Sequence, residues 1–244
     1  MSYFYRLPGG DVAVLDDNAP FPPLSTALRE PNGLLAIGGG LSPERLLDAY
    51  RHGIFPWFSH GEPVLWWSPD PRMVLFPHAL RVSSSLRKRL KRRDYRIGYD
   101  TAFRRVITAC AGAARPGQDG TWIVGEIVEA YCRLHELGYA HSVETWIDGE
   151  LAGGLYGVAI GRMFYGESMF HRVSDASKIA FVHLVERLQR DGFGMIDCQM
   201  KTAHLERFGA VEIPRAEFAG RLARLVAQPS GPALWDPRTQ QEPA

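Results

Sequence analysis

Two short segments carry side chains whose spacing could do chemistry: Phe164-Tyr-Gly-Glu-Ser-Met-Phe170 and Met195-Ile-Asp-Cys-Gln-Met200. In the second, read as a strand, Asp197 and Gln199 lie two apart and share a face, while Ile196 and Cys198 take the other. A helix expected over about Asp175 to Arg190 separates the two segments. Such a crossover makes the flanking strands parallel and neighbours in one sheet. Their C-terminal ends then coincide, and Glu167 comes near Asp197 and Gln199. Three polar groups converge where open sheets place ligands. Two acids and an amide are a weak signal, and the same residues could serve as plain strand-end or turn groups.

The elements that must position these groups can be read in order. Ser42 as N-cap and Pro43 at the first helical position open a helix that ends at Gly53. A stretch rich in Trp and broken by Pro56, Pro63, Pro69 and Pro71 follows, Gly53 to Arg72; it reads as loop, which is rarely core, and a domain boundary is expected in it near Glu62. That gives a small α+β domain over residues 1–62 and a larger one over 63–244. In the larger part a basic helix is expected over Ser84 to Arg92, then a strand around Tyr95–Tyr99. Asp100 is expected to cap a helix carrying Phe103, Val106, Ile107 and Cys110 at helical spacing. A second helix carries Ile123, Ile127, Tyr131 and Leu134. Three antiparallel strands come next, turning at Asp148-Gly149 and Ile160-Gly161. The long helix, the strand Met195–Gln199, a short helix, a strand at Val211–Ile213 and a last helix complete the chain. This α/β (α+β) order is that of the GCN5-related acyltransferase fold, a statement about fold and not yet about function.

Composition narrows the setting. The 244 residues suit one large domain or a small one plus a medium one, and 45% apolar with 23% charged residues is ordinary for a globular protein. The net charge of +1 hides a block, Arg81 to Arg96, with eight basic residues against one acid, Asp94. A block of that kind predicts a local polyanion-binding patch. No apolar run is long enough for a membrane span, and Met1 to Gly10 lacks a signal-peptide pattern. Three scattered cysteines, Cys110, Cys132 and Cys198, fit a reducing compartment, so a cytoplasmic location is expected. The histidines form no His-x-x-x-His or Cys/His cluster, and no metal is expected.

Longer blocks carry a family resemblance. They include Leu28-Arg-Glu-Pro-Asn-Gly-Leu-Leu-Ala36, Gly53-Ile-Phe-Pro-Trp-Phe-Ser59, Trp66-Trp-Ser-Pro-Asp-Pro-Arg72, Gly120-Thr-Trp-Ile123, Gly166-Glu-Ser-Met-Phe170 and Ile196-Asp-Cys-Gln199. With these, the chain from about Phe21 to Phe218 resembles the leucyl/phenylalanyl-tRNA–protein transferases. The resemblance implies aminolysis of an ester: an aminoacyl-tRNA carrying Leu or Phe donates to the α-amino group of a protein that begins with Arg or Lys. No cofactor is implied, because forming an amide from an ester is downhill. A monomer is expected.

The same resemblance assigns roles. Asp197 and Gln199 act together at the attacking amine, Asp197 polarising and orienting Gln199. Glu167 holds a substrate cation, either the donor's α-ammonium or the acceptor's first side chain. Trp57 and Trp122 sandwich the terminal adenine, and Tyr50 lines the donor site between the domains. Leu155, with apolar neighbours and Ser168, belongs to the substrate pocket. Arg87, Lys88, Arg89, Lys91, Arg92 and Arg93 hold the tRNA acceptor stem through its phosphates.

Two rival readings come from other classes. Gln189-Arg-Asp-Gly-Phe-Gly194 fits a coenzyme A pyrophosphate signature, but it closes the long helix, whereas that loop should open it. A non-catalytic tRNA-binding protein would use the tryptophans and the basic helix, yet has no need of Glu167, Asp197 and Gln199 together.

Overall fold

The computed structural model describes residues 3–113, 123–229 and 235. The chain forms two sheets. The first contains β1 (Tyr3–Leu7), β2 (Gly10–Leu15), β3 (Leu34–Gly38), β4 (Phe55–Pro56) and β5 (Leu65–Trp67), in the order β1-β2-β3-β5-β4. Helix α1 (Pro43–Arg51) lies between β3 and β4 in sequence. Its start follows from the residues: the Ser42 hydroxyl accepts the Arg45 N–H, and Pro43 gives up no donor there. Its end follows too, because the chain turns at Gly53 with φ +78°, where a Cβ would meet the Phe218 ring at 2.7 Å.

The second sheet contains β6 (Arg72–Leu75), β7 (Arg96–Tyr99), β8 (Ala140–Ile147), β9 (Glu150–Ile160), β10 (Met163–His171), β11 (Met195–Gln199) and β12 (Val211–Ile213). Its order is β12-β6-β11-β10-β9-β8-β7. The helices are α2 (Ser84–Leu90), α3 (Phe103–Ala111), α4 (Gly125–Glu136), α5 (Ala176–Arg190), α6 (Ala203–Arg207) and α7 (Arg215–Val226). The central strands are apolar on both faces because both are covered. One face packs with α1, which supplies Tyr50, and with α3, α4 and α7, in a core that also takes Leu35 and Trp66 from the first sheet. The other packs with α5 and Leu86 of α2. The two sheets thus share one continuous core.

The element order from β7 onward is the expected one, and α5 makes β10 and β11 parallel, with Tyr165 opposite Asp197. This is a mixed α/β architecture of two sheets and seven α-helices among the described residues. Four details differ from expectation. The chain passes between sheets after Trp67, since β5 still belongs to the first sheet and β6 to the second. The Trp- and Pro-rich stretch is not loop alone: Trp66 is fully buried, its Nε1 donating to the Gly38 carbonyl at 2.8 Å. Asp100 does not cap α3; its carboxylate accepts the Ser142 N–H and pairs with His141 Nδ1, each at 2.8 Å. Finally, the β9–β10 turn is Gly161-Arg162, one residue later than read, because Ile160 still pairs with Met163. Among the described residues, no helix is long and apolar enough to cross a membrane.

Candidate active site

The parallel pairing of β10 with β11 ends at Tyr165 and Asp197. Beyond it both strands break their regular form. A bulge shifts the β10–β9 register between Gly166 and Ser168, so Glu167 is the extra residue. On β11, Gln199 takes φ +63°, and a second shift separates it from Asp197 in the pairing with β6. Bulges re-aim side chains, and here two irregularities at neighbouring strand ends turn Glu167 and Gln199 toward each other. Gln199 Nε2 donates to Glu167 Oε1 at 3.1 Å.

Two tyrosines complete the surroundings of Glu167. The Tyr50 hydroxyl, from α1, donates to Oε1 at 2.7 Å. The Tyr131 hydroxyl, from α4, lies 3.2 Å from Oε2 and within hydrogen-bond reach of the Tyr50 hydroxyl, so its one proton is shared between these two acceptors. Tyr165 fixes α1 from below, its hydroxyl donating to the Tyr50 carbonyl at 2.8 Å. Burial pushes the Glu167 carboxyl up to about 7 and Asp197 adds to the rise, while the tyrosine hydroxyls oppose it. Burial, then the negative charge of Glu167, holds both Tyr50 and Tyr131 well above the usual phenol range, so they act as neutral donors.

Asp197 lies behind this group and is fully withdrawn from solvent. Arg72 meets it at two points, Nε to Oδ1 at 2.8 Å and Nη2 to Oδ2 at 2.6 Å. The guanidinium sits between the rings of Phe55 and Phe218, 4.7 and 4.6 Å from their centroids, and its Nη1 donates to the Gly53 carbonyl. Asp197 Oδ1 also accepts the backbone N–H of Gln199 at 2.9 Å. Asp197 therefore acts on Gln199 through the main chain, which it holds in the left-handed conformation. The sequence reading placed the two side chains on one polar face. The bulge and the Arg72 clamp separate them instead.

A cavity of about 680 Å³ opens over these residues. Glu167, Ser168 and Gln199 line it together with apolar Leu155, Phe164, Met169, Phe181 and Ile196. Trp57 lies in its wall, half-buried against Trp67 with ring centroids 5.5 Å apart. Tyr50 is not part of the wall: its ring belongs to the core, and its hydroxyl is spent on Glu167. Trp122 lies outside the described residues.

The expected basic helix is α2 with the turn after it. Arg87, Lys88, Lys91, Arg92 and Arg93 are exposed. Arg89 differs, being paired with Asp94 and packed on the Tyr95 ring. Sequence reasoning missed Arg72, and took Tyr131 for plain core. A signal existed for Arg72: a charged residue opening the strand-like apolar run Met73-Val74-Leu75 needs a buried partner. Tyr131 had none, since its helical spacing is that of any core residue.

A mixed sheet whose parallel strand pair ends at a cavity with a carboxyl and an amide at its base has the layout of an enzyme site. Comparison supplies the family. The profile described as leucyl/phenylalanyl-tRNA protein transferase matches residues 74–223, and that of its N-terminal domain matches residues 39–70. A leucyl/phenylalanyl-tRNA–protein transferase of Nitrosomonas europaea is 63% identical over 92% of this chain and 94% of its own. Another, of Nitrosospira multiformis, is 65% identical over 87% and 91%. Among solved structures, a functionally unknown conserved protein from Staphylococcus epidermidis is 11% identical with TM-score 0.42, covering 74% of this chain and 68% of that one. The chain belongs to the leucyl/phenylalanyl-tRNA–protein transferase family. It is an aminoacyltransferase.

Proposed function

We propose that this enzyme moves Leu or Phe, and Met as a third donor, from aminoacyl-tRNA to the α-amino group of proteins that begin with Arg or Lys. It works as a cytoplasmic monomer, and its products enter the N-end rule degradation pathway. The observation that carries the chemical part is the commitment of Gln199 Nε2 to Glu167. It leaves Oε1 as the end of the amide available to an incoming N–H donor.

The attacking α-amine has a pKa of about 8, so a useful fraction is already neutral at pH 7. The enzyme then has mainly to hold amine and ester in line, which can contribute about 7–11 kcal/mol in favourable cases. Gln199 Oε1 accepts from the amine and points its lone pair at the ester carbonyl. An amide is a poor base, so the leaving 3′-oxygen of the tRNA takes up the proton. Asp197, neutralised by Arg72, keeps the Gln199 backbone in the one conformation that aims its amide. Glu167 binds a substrate cation, whose charge returns the carboxyl to its ionised form. Trp57 and Trp122 stack on the terminal adenine. The apolar wall with Leu155 receives the donor side chain and rejects a charged one through its desolvation cost.

The test is transfer of radiolabelled Leu from Leu-tRNA to peptides starting with Arg, Lys or Met, with labelled acetyl-CoA as rival donor. Label should pass from Leu-tRNA to the Arg and Lys peptides only. Acetyl transfer, or tRNA binding with no transfer, would replace this reading by one of its rivals. In single-turnover transfer with saturating tRNA, Gln199→Ala and Asp197→Asn should each be slow. The double variant should be little slower than the worse single one, since residues working as a unit are non-additive.

A further inference from the structure

A second concavity, of about 640 Å³, lies beside the catalytic one. Arg104, Arg105, Thr108, Gly112 and Arg172 line it, and His171 lines both. Arg104 is held by Glu129 in a two-point contact. Arg105 and Arg172 are exposed and have no acidic partner among the described residues. Arg105 sits 5.2 Å from the centroid of the Trp146 ring. Arg96, the cross-strand neighbour of Trp146, sits 5.2 Å from the same ring. Arg172 lies 5.8 Å from the Phe170 ring. Two cations share one indole, and a third borders the same concavity as Arg105.

These cations join two features already described. Arg96 follows the basic segment Arg87–Arg93 by three residues. From Arg96 the line runs over Trp146 to Arg105, then to Arg172 and His171, which opens on the catalytic cavity. Like charges gathered without acids raise one another's energy unless an anion lies among them. Arg96 and Arg105, both over the Trp146 ring, keep their edge N–H groups for phosphate oxygens, with the fork geometry that phosphate takes bidentately, while Arg172 gives one N–H to the Leu151 carbonyl at 3.5 Å and presents the others. An aromatic face flanked by arginines is also how single strands are held without regard to sequence.

We propose that Arg96, Arg105 and Arg172 form a track for the sugar–phosphate backbone of the unpaired 3′ end of the tRNA, leading from the basic helix to the catalytic cavity. The proposal rests on the donor being an aminoacyl-tRNA. The basic helix then takes the duplex stem, and the track takes the single strand between stem and ester. Because the track contacts backbone, it accepts any tRNA whose amino acid fits the cavity.

The experiment compares donors of increasing length: aminoacyl-adenosine, an aminoacylated CCA trinucleotide, and full aminoacyl-tRNA. Wild-type KM should fall at the first step, because phosphates are added there. Arg105→Glu and Arg96→Glu should raise KM about 10-fold for the trinucleotide and full tRNA, with aminoacyl-adenosine used as before. Arg105→Gln should lower the salt slope of KM by about 0.7. Lys91→Glu should affect full tRNA and spare the trinucleotide. A trinucleotide KM unchanged by Arg105→Glu overturns the track, and so does equal loss with aminoacyl-adenosine, which would make Arg105 structural. A raised KM for acidic acceptor peptides alone would give the groove to the acceptor instead. Fluorescence anisotropy of a labelled, uncharged CCA-ended oligonucleotide reads the track without catalysis. Weakened binding there with Arg105→Glu supports it even if transfer from aminoacyl-tRNA fails for the wild type.

Discussion

Arg72 and Asp197 hold each other at two points with both side chains withdrawn from solvent, and the same carboxylate carries the backbone of Gln199. Structure and chemistry therefore depend on one ion pair. Removing only Arg72 leaves a buried, uncompensated charge, so Arg72→Ala should lose about 3–5 kcal/mol in urea unfolding. Replacing both partners with apolar residues, Arg72→Met with Asp197→Leu, should recover most of that loss. Transfer should stay lost in the double variant, because nothing holds Gln199 in its left-handed conformation. Recovered transfer alongside recovered stability would confine the pair to folding.

Glu167 gives the enzyme a pH dependence near neutrality. Its carboxyl stands at about 7 in place of the ordinary 4.5, chiefly through burial. The free-enzyme rate, kcat/KM, should rise with pH through about 7 as the carboxylate forms. Tyr50→Phe removes a donor to the charged form and should move this limb to higher pH. Glu167→Gln should abolish the limb, leaving only the titration of the attacking amine. Stability follows the same linkage. The contribution of Glu167 is full below pH 4.5 and is lost as pH rises through 7. Relative to wild type, Glu167→Gln should therefore be more stable at pH 8 than at pH 5, by up to about 3 kcal/mol. A constant difference across that range would mean that Glu167 titrates normally.

Trp57 offers a half-buried indole to the cavity, and its carbonyl accepts the Trp67 Nε1 hydrogen at 2.7 Å. That bond uses the backbone, so Trp57→Ala keeps it. The variant should fold, and should bind aminoacyl-adenosine about 10-fold more weakly, as expected for loss of one stacking partner. Wild-type affinity in the folded variant would remove Trp57 from the donor site.

The basic helix divides into two kinds of residue. Lys91 and Arg92 are exposed, whereas Arg89 is engaged with Asp94 and Tyr95. Lys91→Glu with Arg92→Glu should raise KM for aminoacyl-tRNA, and the wild-type KM should climb with salt. Arg89→Ala should change KM less. It should cost little stability either, since Asp94 is half-exposed and the pair is screened. An equal effect from all three would make the helix a single uniform patch.

Local pattern was enough for much of this protein. Ser42-Pro43 and Gly53 start and stop α1 because capping depends on residues within one turn. The long helix between two strands made β10 and β11 parallel, because a crossover connection leaves no other choice for neighbouring strands. From that alone, Glu167, Asp197 and Gln199 could be brought to one end of the sheet. What only the tertiary structure decided is how they meet. The bulge at Glu167 depends on pairing with β9, and the left-handed Gln199 on a carboxylate fixed by Arg72, 125 positions away in the chain. Tyr50 and Tyr131, 81 positions apart, reach Glu167 from two helices, one of them within the stretch that forms the first sheet. Buried charges and hydroxyls need partners at fixed distance and angle. Those partners come from whatever elements the shared core presses together, and no spacing along the chain records them.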